Sequence, residues 1–447
     1  MSHTDAMEKI VSLSKRRGFV FPSSEIYGGL ASCWDYGPLG VEIKNNIRDF
    51  WWRSMTQFRD DVVGLDASIL MHSDVWKASG HVDSFVDTMV DCKICRMRCK
   101  AEEITSGACP ECGGEITEGR LFNLLFRTYL GAIEEDANIV YLRPETAQGI
   151  YVNFINVVNT SRKKVPFGIA QAGKAFRNEI TMGNFIFRMR EFEQLEMQYF
   201  VKPGSAGEWF ETWKRERMRW YRELGVNLDK LRFREHEKDE LAHYAERACD
   251  IQYEFPFGWQ EIEGIHNRAD FDLKRHSESS GKELSYFDEA AGEKYIPHIV
   301  ETSAGLDRVF LCCMADAYVE EPERKVLKFT PRIAPYKAGI YPLVKRDGMP
   351  EIARKIYTDL RKHMKVFYDE AGSIGRRYRR QDEAGTPFGI TVDSQTLEDE
   401  TVTLRNRDDM KQSRLKMHEV SGIILDRIQN SGEKCDIQAQ LQPGEKI

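Results

Sequence analysis

The stretch that most constrains this chain runs from residue 167 to 200, FGIAQAGKAFRNEITMGNFIFRMREFEQLEMQYF. Its two ends have strand composition. The ITMGNFIF segment between them carries Gly183 and Asn184, so an antiparallel hairpin can turn back there. At a period of two, Arg177 and Glu179 share one face. In the returning strand Leu195, Met197 and Tyr199 share one face, and Gln194, Glu196 and Gln198 the other. The pattern predicts a sheet with an apolar side on a core and a charged side lining something. A sheet with one face in water is a common alternative. Against it stand a second charged strand pattern, Glu261 and Glu263, and Arg308 at a strand-to-helix junction. Charges shut in a cleft cost several kcal/mol each unless paired. A charged ligand would complete such an arrangement.

With 447 residues, the chain has room for a large domain and a smaller one. Its first 19 residues contain no apolar signal core, and no apolar run approaches the roughly 20 residues of a membrane span. The chain reads as cytosolic, with no membrane contact. A net charge of −7 argues against nonspecific coating of nucleic acid, so any such contact must come from a local basic patch.

Residues 38–58 predict a helix that opens on Pro38. Ile43, Ile47, Phe50, Trp51, Met55 and Phe58 make one wide apolar stripe, which suits either the chain's own core or a subunit interface. Strands are expected over 137–149, 257–273 and 296–305, and an amphipathic helix over 207–224. The run 328–342 holds Pro331, Pro335, Gly339 and Pro342 and reads as a linker. Beyond it, helix 350–364, strand 387–393 and a closing helix over 408–429 suggest a small α/β domain. The domains are expected at 1–332 and 333–447.

Ten cysteines in a reducing compartment are thiols or metal ligands rather than a disulfide framework. Cys92-Lys-Ile-Cys95 and Cys109-Pro-Glu-Cys112 form two C-x-x-C pairs, with Gly113 and Gly114 after the second. That spacing fits a closed four-thiolate zinc site, which would fold the 92–112 insertion without a core of its own.

These residues also carry a family resemblance, which spans the chain from SKRRGFVFPSSEIYGGL to the last helix. The chain resembles the homodimeric glycyl-tRNA synthetases, which are class II aminoacyl-tRNA synthetases. Phe176-Arg177-Asn178-Glu179 with its returning strand is similar to class motif 2. GVEIKNNIRDFWW is similar to the dimer-forming motif 1, and ETSAGLDR to motif 3. RPETAQG (143–149) and FEQLE (192–196) are similar to runs of the glycyl branch. The implied fold is α+β: a class II antiparallel-sheet catalytic domain with a zinc-ribbon-like insertion, then an α/β anticodon-binding domain.

The resemblance implies a glycine–tRNA ligase. ATP and Mg²⁺ would activate glycine to an adenylate, and the glycyl group would pass to tRNA-Gly. Arg177, Glu179 and Arg308 would be catalytic, with Arg177 on the α-phosphate and the substrate carboxylate, and Arg308 on the γ-phosphate. ATP would also meet Asn178, Phe187, Arg188, Met189, Arg190, Glu191 and Phe192, whose ring stacks on adenine. Glu283, Leu284, Gly305, Leu306 and Asp307 complete that set. Glycine would meet Glu145, Phe192, Glu193, Gln194, Leu195, Glu196 and Glu261, then Glu301, Thr302, Ser303, Ala304 and Gly305. The family's R-A-D-like run falls on Cys99-Lys100-Ala101-Glu102, where Lys100 keeps the charge without the guanidinium fork; Arg98 is the alternative.

A basic cluster in the smaller domain, Gly375-Arg376-Arg377-Tyr378-Arg379-Arg380, suits either a solvated face or contact with phosphates and unpaired bases. A catalytically silent relative of the fold would lose the motif 2 or motif 3 arginines, which this chain keeps. The same fold serving threonine, serine or proline is disfavoured by the FEQLE and RPETAQG runs.

Overall fold

A computed structural model of the chain describes residues 3–104, 107–135, 138–180, 183–242 and 244–431. The alternating segments build a seven-stranded sheet. Its spatial order is Leu231–Glu235, Arg247–Phe255, Gly258–Ala269, His298–Gly305, Glu191–Val201, Phe167–Phe176 and Val62–Gly64. All pairings are antiparallel except the last. Leu195, Met197 and Tyr199 point into a core built with the helices Pro38–Thr56, Ala206–Leu224 and Leu306–Ala317. Gln194, Glu196 and Gln198 take the other face, opposite Gly305, Ser303 and Glu301.

The Pro38–Thr56 helix starts on Pro38 and buries Ile43, Ile47, Phe50, Trp51 and Met55 in the chain's own core. Phe58 lies past the helix end and is exposed. Gly40 allows the helix to sit close on the N-terminal segment: a Cβ there would fall 1.9 Å from the Phe19 carbonyl oxygen.

Period-two reading places Glu261 and Glu263 on one face, and the structure separates them. A β-bulge pairs Ile251 with Glu263 but Gln252 with Glu261, leaving Ile262 unpaired between them. Glu263 therefore turns toward the helices, where Arg217 donates to it through Nε at 2.5 Å and Nη2 at 3.2 Å.

The second unit is a five-stranded mixed sheet in the order Val366–Tyr368, Ala338–Pro342, Phe388–Val392, Thr401–Asn406 and Gln412–Lys416. Helices Met349–Leu360 and Val420–Gln429 pack on it. Two sequence expectations are corrected here. The end of the supposed linker, Ala338–Pro342, is an inner strand with parallel neighbours on both sides. Gly339 suits that place because a Cβ would fall 1.9 Å from the Tyr341 hydroxyl, and Pro342 ends the strand, where its missing N–H costs no inner ladder bond. The expected 408–429 helix is also split. Gln412–Lys416 pairs with Thr401–Asn406, and the helix proper is Val420–Gln429.

Most of the 375–380 cluster is engaged within the protein, though only Arg377 is buried. Arg377 is buried and donates to the Pro342 carbonyl at 2.6 Å, and the Tyr378 hydroxyl meets the Thr391 hydroxyl at 2.6 Å. Arg380 pairs with Asp369 and Arg379 with Glu323, which leaves Arg376 as the exposed arginine of the run. The helix that carries them, Ile374–Ala384, packs on the Arg324–Leu327 strand, so this helix forms a seam between the two units, with Arg379 reaching Glu323 and Asp382 meeting Arg324.

Candidate active site

The polar face of the large sheet forms the floor of a cleft. Its lining includes Glu145, Arg177, Glu179, Phe187, Phe192, Gln194 and Glu196, with Glu261, Glu301, Ser303 and Gly305 from neighbouring strands and Arg308 from the helix that follows. Arg177 follows the Phe167–Phe176 strand. Its Nε donates to the Pro144 carbonyl at 3.1 Å, and its guanidinium carbon lies 5.2 Å from the Phe192 ring centre and 5.4 Å from that of Phe85. Its terminal nitrogens have no hydrogen-bond acceptor among the described residues. Arg308 sits in the first turn of the Leu306–Ala317 helix. It pairs with the Glu261 carboxylate at 3.1 Å and lies over the Phe187 ring at 4.4 Å. Two guanidinium forks in one cleft are suited to phosphate oxygens.

Deeper in, three carboxylates converge. Glu196 Oε1 accepts from the Ser303 hydroxyl at 3.0 Å, and its Oε2 is buried with no partner among the described residues. Burial, then the charges of Glu301 and Glu145, push the Glu196 carboxyl up to about 8. Glu301 behaves oppositely. Burial would raise it, but Arg268, with Nη1 at 3.0 Å, and His266, with Nδ1 at 2.9 Å, bring it down to about 2. Glu145 is also held well below the carboxylate range. Burial opposes this, and the His81 imidazole at 3.5 Å, then Arg268 and a 2.8 Å bond from Gln148, outweigh it. The arrangement is a small acidic pocket ending in an unsatisfied carboxylate oxygen, suited to an ammonium group.

Sequence reasoning did not find His81, Gln148, Arg268 or His266. Arg268 had a signal, since a literal R-A-D run stands at 268–270 at the end of the Gly258–Ala269 strand. His81 reaches Glu145 only through tertiary structure.

The structure brings most expected residues together and leaves several outside. Arg188, Met189 and Asp307 also line the cleft. Leu195, Thr302 and Ala304 are fully buried on the opposite pleat, and Leu306 is in the core. Glu193 is buried against Lys44 and Arg48 behind the cleft. Glu191 pairs with Lys174 on the surface. Arg190 Nε donates to the Glu179 carbonyl at 3.0 Å, and Asn178 lines a neighbouring cavity with Phe122 and Tyr141. Glu283 is exposed and paired with Lys294, while Leu284 belongs to a separate apolar cluster. Lys100 lies on the three-stranded sheet of the Cys-rich insertion with its ammonium 2.8 Å from Asp87, and Arg98 pairs with Asp91. Neither of these two lines the cleft.

In that insertion the thiol sulfurs of Cys92, Cys95, Cys109 and Cys112 all lie within 4.8 Å of one another. Cys92 and Cys112 sulfurs are 3.5 Å apart, and those of Cys95 and Cys109 are 3.6 Å apart. Sulfurs about 2.3 Å from a central tetrahedral ion would stand just under 4 Å apart, so the donor set fits zinc.

Two family models match the chain. One, described as tRNA synthetase class II core domain (G, H, P, S and T), covers residues 129–318. The other, described as anticodon binding domain, covers residues 337–427. A glycine–tRNA ligase of Treponema denticola is 55% identical over 443 residues, covering 96% of this chain and 98% of that protein. One of Borrelia hermsii is 53% identical over 435 residues, covering 95% and 98%, and one of Treponema pallidum 52% over 443 residues, covering 92% and 96%. Near-full-length identity at this level, over a cleft of this chemistry, places the chain in the glycine–tRNA ligase family of class II tRNA synthetases.

Proposed function

We propose that this chain joins glycine to tRNA-Gly at the cleft of the large sheet, in two steps. A glycine carboxylate oxygen attacks the α-phosphorus of ATP, forming glycyl-adenylate as the bond to pyrophosphate breaks. A hydroxyl of the tRNA terminal ribose then attacks the glycyl carbonyl, and AMP leaves. The observation that carries this reading is the convergence of Arg177 and Arg308 with Glu145, Glu196, Glu301 and Ser303 in one cleft.

Arg177, with acceptor-free terminal nitrogens, holds the α-phosphate and the substrate carboxylate. Arg308 holds the γ-phosphate, and the adenine ring stacks on Phe192 near Glu179. Fixed cations stabilise charge that spreads over phosphate oxygens in the transition state, so no dedicated general base is needed for the first step. The acidic pocket grips the ammonium. Sterics exclude larger amino acids there, because the correct substrate is the smallest. Mg²⁺ binds mainly substrate phosphates with one or two carboxylates, and half-exposed Glu261 beside Arg308 is a carboxylate of that kind. When bound, the cation would neutralise phosphate charge.

The C-terminal unit is proposed to meet the tRNA anticodon. Two copies are proposed to pair, supported by an exposed apolar loop with Ile26 at 89% and Tyr27 at 86% exposure. Sedimentation at micromolar concentration reads that directly, and a monomer would refute it. Among the described residues no helix is long and apolar enough to cross a membrane; a cytoplasmic location is proposed.

ATP–pyrophosphate exchange tests the reading. Glycine should support exchange while alanine and serine do not. Arg177→Ala should reduce kcat/KM by about 10²–10³-fold, the size seen when one charge-stabilising donor is lost. Exchange independent of glycine, or unaffected by Arg177→Ala, would refute it.

A further inference from the structure

Lys44 stands mid-way along the Pro38–Thr56 helix and is only 8% exposed, in a helix face otherwise given to Ile43, Ile47 and Trp51. Its ammonium lies 3.0 Å from Asp307 Oδ1 and 3.2 Å from Glu193 Oε2. Asp307 Oδ1 also accepts the Tyr36 hydroxyl at 2.5 Å, and Asp307 Oδ2 accepts the backbone N–H of Glu193 at 2.8 Å. Arg48 Nε donates to Glu193 Oε1 at 2.8 Å.

Two cations thus balance two carboxylates; Lys44, Asp307 and Glu193 are nearly shut off from water, and Arg48 reaches Glu193 from a half-exposed position. Burying such a set is seldom better for stability than apolar packing of the same volume. Its position suggests what else it does. The ladder between Glu191–Val201 and His298–Gly305 ends at the Gln194–Gly305 pair. Just beyond that pair, one chain leads back to Phe192 and the other on to Arg308. No ladder bond joins them there. The Asp307 carboxylate does so instead, by taking the Glu193 N–H, and Lys44 holds both Asp307 and the Glu193 side chain. Burial alone would lower the Lys44 pKa, but Asp307 and then Glu193 outweigh it and raise it, so the ammonium stays charged.

We infer that Lys44 is a positioning residue for nucleotide binding: through Asp307 and Glu193 it sets the spacing of Phe192 and Arg308, with Tyr36 fixing the Asp307 carboxylate. The inference rests on the reading of the cleft as the ATP and glycine site. It predicts a split between substrates, because the acidic pocket is built by Glu145, Glu196, Glu301 and Ser303, none of which touches Lys44.

Glycine-dependent ATP–pyrophosphate exchange, with each substrate varied in turn, provides the test. Lys44→Met should raise the KM for ATP about tenfold and lower kcat, while the KM for glycine stays within about twofold. Lys44→Arg, which keeps the charge, should recover most of the ATP effect. Tyr36→Phe removes one hydrogen bond and should raise the KM for ATP by about threefold. A purely structural lysine would lower the melting temperature and leave both KM values alone, or move them together; either result overturns the inference. Should Lys44→Met fail to fold, Tyr36→Phe decides, and an unchanged KM for ATP in that variant overturns it. Wild-type protein without glycine-dependent exchange would instead overturn the reading of the cleft.

Discussion

At the scale of single residues, Glu196 is the group whose charge state the site controls most tightly. Its neighbours Glu145 and Glu301 are kept ionised by His81, Arg268 and His266, so the electrostatic strain of three adjacent acids falls on Glu196. Its folded pKa, about 8, lies above the ordinary value of a free glutamate. The empty cleft therefore favours the protonated acid at neutral pH. The stability this contributes is full below the unfolded pKa and is lost as pH rises through about 8. An ammonium group prefers the carboxylate, so glycine must displace that proton. Glycine KM should fall by up to about tenfold per unit as pH rises toward 8, then level off. Glu196→Gln should abolish this slope along with most of the affinity. A wild-type glycine KM that is flat between about pH 6.5 and 8 would sink the proposal. Glu196 was legible in the sequence because strand alternation sets it apart from Leu195 and Met197. Its partners His81 and Arg268 were not, since nothing local marks a side chain that reaches a site across the fold.

At the scale of elements, what could be read was whatever depends on local periodicity. The hairpin of Phe167–Phe176 and Glu191–Val201, the Pro38–Thr56 helix and the strand-to-helix turn at Gly305 all follow from alternation, proline placement and apolar spacing. Features that depend on neighbours were missed. The bulge at Ile262 reverses the pleat between Glu261 and Glu263, and the inner strand Ala338–Pro342 looks like a linker until its parallel partners are in place. The Cys-rich insertion lies between these cases. Its spacing was plain, and its three short strands, Val86–Asp91, Arg98–Lys100 and Arg120–Asn123, bury Met89 and Val90 but leave Ile94 71% and Leu121 73% exposed, so the apolar burial around the cysteine turns is small. A bound ion would supply a large share of the free energy that orders the cysteine-bearing turns. Purified protein should carry about one zinc per chain, and Cys92→Ser should lose it and make the 92–112 segment protease-sensitive while the rest resists. Unchanged metal content in that variant would refute the zinc site.

At the scale of the whole molecule, the two units are joined by charge rather than by a bare linker. Arg324, on the hairpin strand Arg324–Leu327, donates through Nη1 to Asp382 Oδ2 at 3.0 Å and to the Arg407 carbonyl at 2.8 Å. Asp382, in the helix Ile374–Ala384, is also bound by Arg405 through Nη1 at 3.0 Å and Nη2 at 3.2 Å. Arg407 donates through Nη2 to the Phe329 carbonyl at 2.7 Å, and Glu383 pairs with Arg16 and Arg17 of the N-terminal helix. One buried carboxylate thus answers guanidinium groups from both units. Removing it strands Arg405 without a counter-charge and leaves Arg324 only its pair with Glu321, and breaking a buried pair in this way costs about 3–5 kcal/mol. The cleft is built without Asp382, so the damage should appear only when both units must act on one long substrate. For Asp382→Ala, glycine-dependent pyrophosphate exchange should stay within about twofold of wild type, while kcat/KM for tRNA charging falls at least about tenfold. Calorimetry should resolve two melting transitions where the wild type has one. Equal losses in exchange and charging would mean that the seam supports the catalytic fold itself. Normal charging would mean that the orientation of the two units does not depend on this carboxylate.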